Sequence, residues 1–306
     1  MSKRSIFVQQ NSIVPHFAGK DNWAIMSSTE SRIKSIIESV GTPLREWNIR
    51  INRGILTGYN EAFIVSTEIK DRLIAEDPHS AELIRPILRG RDIRRYGYNW
   101  ANLWLISTFP SRQYNIDDFP AIKKYLLSFG MERLEQTGRK YTIDGHEIKA
   151  RKKTNNKWFE TQDSIGYWDD FSKPKICWIE LTDESKFSYS DDGIYLLNTV
   201  FFMVGDHIKY LLAVLNSKLI HWYFLSCTGT TSGVGTNRWL KYTVETIPIP
   251  RISTHDELEI NALVDTLLSH KQNGKDTTSL EREIDRLVLH AYNLTEEEQS
   301  YIMNVD

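Results

Sequence analysis

The sequence predicts an α+β fold, a mixed α/β domain that is followed by a C-terminal helical hairpin. Apolar residues first repeat at helical spacing over residues 29–40. Short runs of branched and aromatic residues then alternate with turn residues, a pattern typical of strands. Near the end, two amphipathic stretches flank Asn273 and Gly274. An Asn-Gly pair favours a turn, so the two stretches indicate a hairpin of helices.

The first third of the chain predicts one helix and two strands. The helix covers residues 29–40, because a serine before it can cap its start and Gly41 can end it. Residues 47–51 and 62–66 are rich in branched and aromatic side chains and indicate strands. Residues 53–60 contain two glycines and indicate the loop between them.

The middle third alternates short elements. Residues 68–75 and 80–88 are predicted as short helices, and residues 104–107 as a buried strand. Residues 120–130 begin with proline, end with glycine and carry one apolar face, which predicts a helix. Residues 139–158 are polar and basic and are predicted as a loop.

The last third begins with strands over residues 175–181 and 195–204, followed by one long apolar helix over 206–226. A Gly, Thr and Ser loop covers residues 228–237. Residues 247–250 read Ile-Pro-Ile-Pro, which cannot be helical and predicts a rigid extended exit. This exit is the predicted domain boundary.

Charge separates the two predicted domains. Residues 1–252 hold 34 basic and 28 acidic side chains, and residues 253–306 hold 4 basic and 12 acidic ones. The two domains are therefore expected to face different partners. Because the acidic second domain would be repelled by phosphate, we expect it to space the first domain or dock it on a partner.

The termini and cysteines exclude several classes of protein. Residues 1–20 lack the apolar core of a signal peptide, and no window approaches 18 uncharged apolar residues. Cys177 and Cys227 are far apart and lack neighbours at metal-ligand spacing. We therefore expect a cytoplasmic protein with reduced cysteines and no membrane partner.

Known catalytic patterns are missing from the sequence. Methylation of an adenine amino group uses a glycine-rich turn and an Asn/Asp-Pro-Pro-aromatic loop, and no two prolines are adjacent here. Residues 229–235 are glycine-rich but lack the lysine of a P-loop and the spacing of a dinucleotide site. The sequence therefore predicts no catalytic residue, cofactor or metal site in this chain.

Two other functions stay open. Asp118, Glu147 and Lys149 could be arranged as a small Mg²⁺-dependent nuclease. Against this, Glu68 and Lys70 repeat the same Glu-x-Lys spacing by chance. The chain could also be a protein-interaction module with incidental arginines.

Two stretches are strongly basic. Residues 85–96 hold five arginines and one acid, and residues 139–157 hold seven basic and two acidic residues. Clustered cations neutralise DNA phosphates, and Arg, Asn and Gln read base edges, although a solvated surface remains an alternative. The residues predicted to bind DNA are Arg91, Arg94, Arg95, Arg139, Lys140, Arg151, Lys152, Lys153, Asn155, Asn156, Lys157, Asn237 and Arg238.

Four blocks in order resemble a known family. Residues 54–63 read GILTGYNEAF, 87–96 ILRGRDIRRY, 173–176 KPKI and 215–219 LNSKL. Together they are similar to TaqI-like C-terminal specificity domains, and the resemblance extends over residues 20–300.

Three later segments resemble relatives of the same kind. The exit at 247–250 resembles the end of the recognition domains in type I restriction specificity subunits. Residues 284–288 and 294–298 resemble the C-terminal helices of type IIG enzymes. The resemblance implies a target-recognition domain of mixed α/β structure.

The resemblance implies that this chain recognises double-stranded DNA for an N6-adenine methyltransferase or a type IIG restriction-modification enzyme. The methyltransferase domain, with a nuclease domain where the enzyme also cleaves, would lie N-terminal in the same polypeptide or in a separate chain. S-adenosylmethionine, and Mg²⁺ for cleavage, would be bound there.

The resemblance also separates scaffold from reading surface. The blocks at 54–63 and 88–93 are expected to build the scaffold, with Asp92 holding neighbouring arginines. Residues that read bases are expected in the irregular segments 136–158 and 228–239, where Trp239 is expected to pack rather than stack on a base.

Overall fold

The computed structural model describes residues 26–182, 184–227, 231–232 and 236–305, with only the backbone at 227, 231–232 and 236–237. The chain divides into two compact units. Of the described residues, the terminal unit comprises 26–49, those within 181–187 and those within 206–305, and the central unit comprises Arg50–Glu180 and Ser188–Gly205. These limits fall at other points than the predicted boundary at residue 252.

The described residues form helices and strands in both halves of the sequence, which confirms the predicted α+β class. The helices α1 to α11 are Ser28–Val40, Asn60–Phe63, Thr67–Glu76, Pro120–Leu127, Met131–Leu134, Ile208–Asn216, Lys218–Cys227, Lys241–Val244, Thr254–Gln272, Thr278–Ala291 and Glu296–Asn304. The strands β1 to β16 are Gly41–Pro43, Ile49–Arg53, Ile64–Ser66, Ile84–Leu88, Ile93–Arg94, Gly97–Tyr98, Leu103–Ile106, Lys140–Ile143, His146–Lys149, Lys175–Ile179, Ser188–Ser190, Tyr195–Leu196, Val200–Gly205, Thr231–Ser232, Thr236–Asn237 and Pro248–Pro250. None of the described helices is long and apolar enough to cross a membrane.

Two four-stranded sheets form the frame of the central unit. One has the strand order β11-β10-β13-β2, and the other has the order β12-β4-β7-β3. In the second sheet β4 pairs parallel with β12 and antiparallel with β7. Apolar side chains of both sheets contribute to one buried core, in which Phe171 stacks on Tyr195 with 4.5 Å between ring centroids. The sheets therefore give this unit a rigid base for its loops.

In the terminal unit, tyrosines hold the proline-rich exit. Strand β16 pairs antiparallel with β1, so Ile249 lies opposite Thr42. The buried hydroxyl of Tyr210 donates to the Pro250 carbonyl, and that of Tyr292 donates to the Pro248 carbonyl, each at 2.6 Å. The predicted rigid exit is confirmed as a strand, and it lies inside this unit.

Two predicted helices were wrong in extent. Residues 80–88 form a 3-10 turn followed by β4, because Pro86 supplies no N–H for a helical bond. The predicted long helix over 206–226 breaks at Ser217, whose hydroxyl accepts a bond from the Ile220 N–H at 3.2 Å. The side chain of Asn216 instead pairs with both backbone groups of Phe187. The LNSK block therefore ends one helix and starts the next.

The acidic C-terminal segment forms three helices rather than two. Helix α9 buries Ile260 and Val264, and α10 buries Ile284. The carboxylate of Asp285 accepts a bond from the Lys218 N–H at 2.9 Å, at the start of α7. These helices are thus part of the core of the terminal unit.

Candidate nucleic-acid interface

Residues 139–158 were predicted as a loop, and that prediction was wrong for their first half. Strands β8 and β9 pair antiparallel and are joined by Asp144 and Gly145 alone, with φ of 50° and 79°. Two consecutive positive φ angles define a type I′ turn, for which Asp-Gly is a preferred sequence. Arg139 continues the ladder, since its carbonyl accepts from the Ala150 N–H at 2.9 Å. The basic segment is therefore a hairpin followed by a loop.

Arg151 lies at the root of the hairpin and was wrongly predicted to bind DNA. Its side chain is only 4% exposed. The guanidinium donates to the carbonyls of Leu134, Thr57, Glu160 and Trp158. Burial lowers the pKa of Arg151 to about 10, although the negative charge of Glu160 acts to raise it. Its donors are used inside the protein, so Arg151 fixes the base of the hairpin.

The loop that contains Gly58 shapes the surroundings of Arg151. Gly58 has a φ of 79°, and a Cβ there would come within 2.8 Å of the Gln162 side chain and 3.1 Å of the Arg151 side chain. Glycine is required for both the positive φ and the close approach. The family block at 54–63 therefore builds a cradle for Arg151, as expected for a scaffold.

Two amides organise the loop after the hairpin. The Gln136 side chain donates to the carbonyls of Lys157 and Glu160 and accepts from Thr154. The Asn156 side chain donates to the carbonyls of Thr161 and Gln162 at 3.1 and 2.9 Å. An asparagine that reads adenine uses this same side-chain amide group as its donor. In this structure the amide donor of Asn156 holds the loop together, and its predicted role in DNA binding stays a prediction.

The other predicted residues of this segment face solvent. The exposed set is Arg139, Lys140, Lys152, Lys153, Asn155 and Lys157. Lys140 forms an ion pair with Glu147 at 2.9 Å, in which both side chains are 62% exposed. An exposed pair of this kind is weak, so it leaves the lysine available to a stronger anion. The exposed cations form a surface suited to phosphate.

The arginines of residues 85–96 mostly bind their own backbone. Asp92 accepts from the backbone N–H and the guanidinium of Arg89, which confirms its expected role. The guanidinium of Arg94 donates to the Arg91 carbonyl at 2.7 Å, and that of Arg95 lies 5.2 Å from the Tyr96 ring centroid. Arg91 and Arg94 are exposed and Arg95 is half-buried. This block is a scaffold with two exposed cations at its edge.

The described part of the second predicted reading segment belongs to the terminal unit. Residues 228–230 and 233–235 and the Asn237 side chain lie outside the described residues. Arg238 is exposed, whereas Trp239 is buried and stacks on Phe224 with 3.6 Å between ring centroids. The expected packing role of Trp239 is confirmed.

One exposed contact was not predicted from the sequence. The Arg112 guanidinium lies 4.0 Å from the ring centroid of Trp168, and 5.7 Å from that of Tyr114. The indole is 37% exposed, so the pair offers both a cation and an aromatic surface. Arg112 and Trp168 are distant in sequence, so no local motif could have revealed their contact.

Two of the three residues of the nuclease alternative have side-chain partners. Glu147 pairs with Lys140, and the Asp118 carboxylate accepts from the Asn115 side chain at 3.2 Å. No group of three or more His, Cys, Asp and Glu side chains is arranged to hold a metal ion in the part of the chain that the structure describes. Glu147 and Asp118 therefore both contact other side chains of the protein.

The chain is similar to modification enzymes in sequence. It is 24% identical over 255 residues to the type II methyltransferase M.MjaIV of Methanocaldococcus jannaschii, covering 80% of this chain and 79% of that protein. It is 24% identical over 260 residues to the type II methyltransferase M.BanIII of Aneurinibacillus aneurinilyticus, covering 79% of this chain but 41% of that protein. The chain thus spans most of one relative and under half of the other.

A solved structure shows the same fold. The type IIL restriction-modification enzyme MmeI, solved in complex with DNA, matches with a TM-score of 0.58 and 11% identity, over 94% of this chain and 38% of that one. The family model described as the TaqI-like C-terminal specificity domain matches residues 85–249, more than half of the sequence. The chain therefore belongs to the family of TaqI-like C-terminal specificity domains, whose part in a restriction-modification enzyme is to recognise DNA.

Proposed function

We propose that this chain selects a specific double-stranded DNA sequence for an N6-adenine methyltransferase or type IIG restriction-modification enzyme, and does not itself transfer the methyl group. One observation carries the proposal. Inside the family match, the central unit anchors a hairpin through buried Arg151 and leaves Arg139, Lys152 and Lys153 exposed. A rigid base with exposed cations holds a duplex in one register.

Methyl transfer is assigned to a separate domain, in cis or in another chain, which would bind S-adenosylmethionine. The support is the lack of two adjacent prolines anywhere in the sequence, since the Asn/Asp-Pro-Pro-aromatic loop needs them. A nuclease domain with Mg²⁺ would join where the parent enzyme also cleaves. The acidic C-terminal helices would space or dock the unit on such a partner, because phosphate repels them.

The test of recognition is selection from a randomised duplex pool. The full chain is incubated with the pool at low and at moderate salt, and the retained DNA is sequenced. We expect an enriched motif at both salts, with weaker total binding at the higher one. Absence of binding at every salt concentration would contradict recognition and would favour a protein-interaction module.

The test of the missing catalysis uses the same protein and the enriched duplex. Tritiated S-adenosylmethionine is added, and incorporation into DNA is counted. The assay tests this directly, because the chain is similar over 79% of the length of a protein named as a methyltransferase. We expect background incorporation. Incorporation that depends on the motif would overturn the assignment of catalysis to a separate domain and leave recognition intact.

A further inference from the structure

The β8–β9 hairpin presents one face that is fully exposed. In its register Lys140 lies opposite Lys149, and Thr142 lies opposite Glu147. Directly paired residues of an antiparallel ribbon share a face, so these four side chains lie together. All four are exposed. They therefore form one polar surface, called here the outer face of the hairpin.

The opposite face attaches the hairpin to the central unit. It carries Tyr141, Ile143 and Ile148, which are half-buried. The Tyr141 hydroxyl donates to the Glu135 carboxylate at 2.7 Å, and the Arg133 guanidinium donates to the Lys149 carbonyl at 2.8 Å. With Arg151 at the root, these hydrogen bonds fix which side of the ribbon faces outwards.

The outer face brings two lysines together in the free protein. Lys140 and Lys149 lie directly opposite each other, and like charges at such positions destabilise a ribbon. The acidic side chain of the outer face, Glu147, pairs with Lys140. Arg139 precedes the same strand and is exposed. A polyanion would relieve the repulsion between the lysines, so the charge pattern indicates a ligand that is rich in phosphate.

The dimensions of the ribbon restrict where it can bind on a duplex. Strands of four residues, as β8 and β9 are, extend about 14 Å at the usual rise per residue. The major groove is about 12 Å wide and 8.5 Å deep and admits a two-stranded ribbon, whereas the minor groove is about 6 Å wide. The hairpin therefore fits the major groove.

We propose, on the basis of the proposed function, that the outer face of the hairpin enters the major groove and reads base edges there. Lys140 and Lys149 lie nearer the root and contact phosphates. Thr142 and Glu147 lie nearer the tip and contact bases. A carboxylate is repelled by phosphate, so Glu147 is tolerated where a base amino group donates to it, as cytosine or adenine does in the major groove. Glu147 is thus a specificity-determining residue.

The test compares selections from the randomised duplex pool by the full chain and by three variants. Glu147→Gln removes one charge and is expected to lose the preference for an amino-bearing base at one position, while a non-specific duplex binds about threefold more tightly. Thr142→Ala is expected to weaken the preference at a neighbouring position. Lys123→Ala is the matched control, because Lys123 is a lysine of the central unit whose side chain is 40% exposed and already pairs with Asp117 at 2.5 Å. It is expected to keep the motif unchanged.

Dimethyl sulfate interference on the enriched duplex identifies the groove. This reagent methylates guanine N7 in the major groove and adenine N3 in the minor groove. We expect interference from guanine N7 within the motif, at the position that Glu147→Gln alters where the preferred base is cytosine, and at the nearest guanine where it is adenine. Circular dichroism melting checks that each variant is folded. An identical motif for the wild type and both hairpin variants, or interference from the minor groove alone, would overturn the hairpin proposal while recognition stands. No motif for the wild type would overturn recognition itself.

Discussion

The two basic stretches of the central unit have similar compositions but different environments. In residues 85–96 the guanidiniums of Arg89 and Arg94 bind Asp92 and nearby carbonyls. In residues 139–157 one buried arginine, Arg151, holds the backbone, and the lysines around it are exposed. The number of positive charges in a segment therefore does not measure its affinity for DNA. The hydrogen-bond partners of each charge decide whether it supports the fold or a ligand.

Substitution of Arg151, the buried arginine of residues 139–157, is expected to give the largest loss of stability. Arg151→Met leaves the carbonyls of Leu134, Thr57, Glu160 and Trp158 without their donor. We expect the free energy of unfolding to fall by about 3 kcal/mol, since the buried carbonyls lose charge-assisted hydrogen bonds. Urea unfolding followed by tryptophan fluorescence measures it. The exposed neighbour is the control, and Lys152→Met should change stability by less than about 0.5 kcal/mol. Equal effects would show that Arg151 is not an anchor.

A substitution of Asp92 tests whether the ion pair with Arg89 in residues 85–96 stabilises the fold. Its carboxylate accepts three bonds from Arg89, so Asp92→Asn should destabilise the chain by about 2 kcal/mol at neutral pH. Burial raises the pKa of Asp92, but the hydrogen bonds from Arg89 outweigh it and hold the pKa below its ordinary value of 3.8. A lowered pKa in the folded state contributes stability above the unfolded value, and this contribution is lost as the pH falls through the folded one.

The pH dependence of unfolding therefore distinguishes the wild type from Asp92→Asn. Urea unfolding at neutral pH and at several acid pH values should show the two proteins converging in the acid range, because the wild-type carboxylate becomes protonated there. A constant difference between the two proteins at every pH would mean that the ion pair with Arg89 does not contribute to stability.

The exposed lysines should affect binding rather than stability. In Lys152→Ala combined with Lys153→Ala, we expect roughly tenfold weaker binding of a non-specific duplex at low salt. The slope of the salt dependence should also fall by about 0.9 for each phosphate that the variant no longer neutralises. Fluorescence anisotropy over a salt series measures both quantities. Lys123→Ala is again the control, and an equal loss of affinity in that variant would assign the effect to overall charge.

The smallest expected effect concerns the opposed lysines of the hairpin. Lys149→Gln removes a like-charge pair with Lys140, so stability should rise by about 0.3 kcal/mol. Affinity for a duplex should fall in the same variant. Thermal melting and anisotropy together test whether the two quantities move in opposite directions. A parallel change in both would contradict a role of Lys149 in phosphate binding.

The spacing of apolar residues, together with capping and turn residues, predicted much of the fold. The first helix has its serine cap at Ser27, and the exit at residues 247–250 is extended. The hairpin at Asp144 and Gly145 was missed because each of its strands is only four residues long, so the alternation is short, and because the high charge of the segment was interpreted as the mark of a loop. The break at Ser217 was missed because apolar residues continue on both sides of it.

The candidate site was predicted as a region rather than residue by residue. Residues 139–157 were identified from charge, and most of their cations are exposed. Sequence alone could not distinguish Arg151 from Lys152, because the difference lies in carbonyls that come from Thr57 and Leu134. Such partners meet only in the folded chain. The contact of Arg112 with Trp168 was missed for the same reason.

Hydrogen bonds at the root of the hairpin bring the two ends of residues 139–150 together. The Gly138 N–H donates to the Arg151 carbonyl at 2.8 Å, so both ends of the intervening segment meet at one hydrogen bond. The entropy of closing a loop between fixed ends changes only by about 0.6 kcal/mol for each doubling of its length. Loop-closure entropy therefore adds little to the cost of exchanging residues 139–150 for a shorter or longer insert, and the main cost is the loss of the hydrogen bonds of Tyr141 with Glu135 and of Arg133 with the Lys149 carbonyl. Descendants of one scaffold could acquire new target sequences by replacing this insert alone.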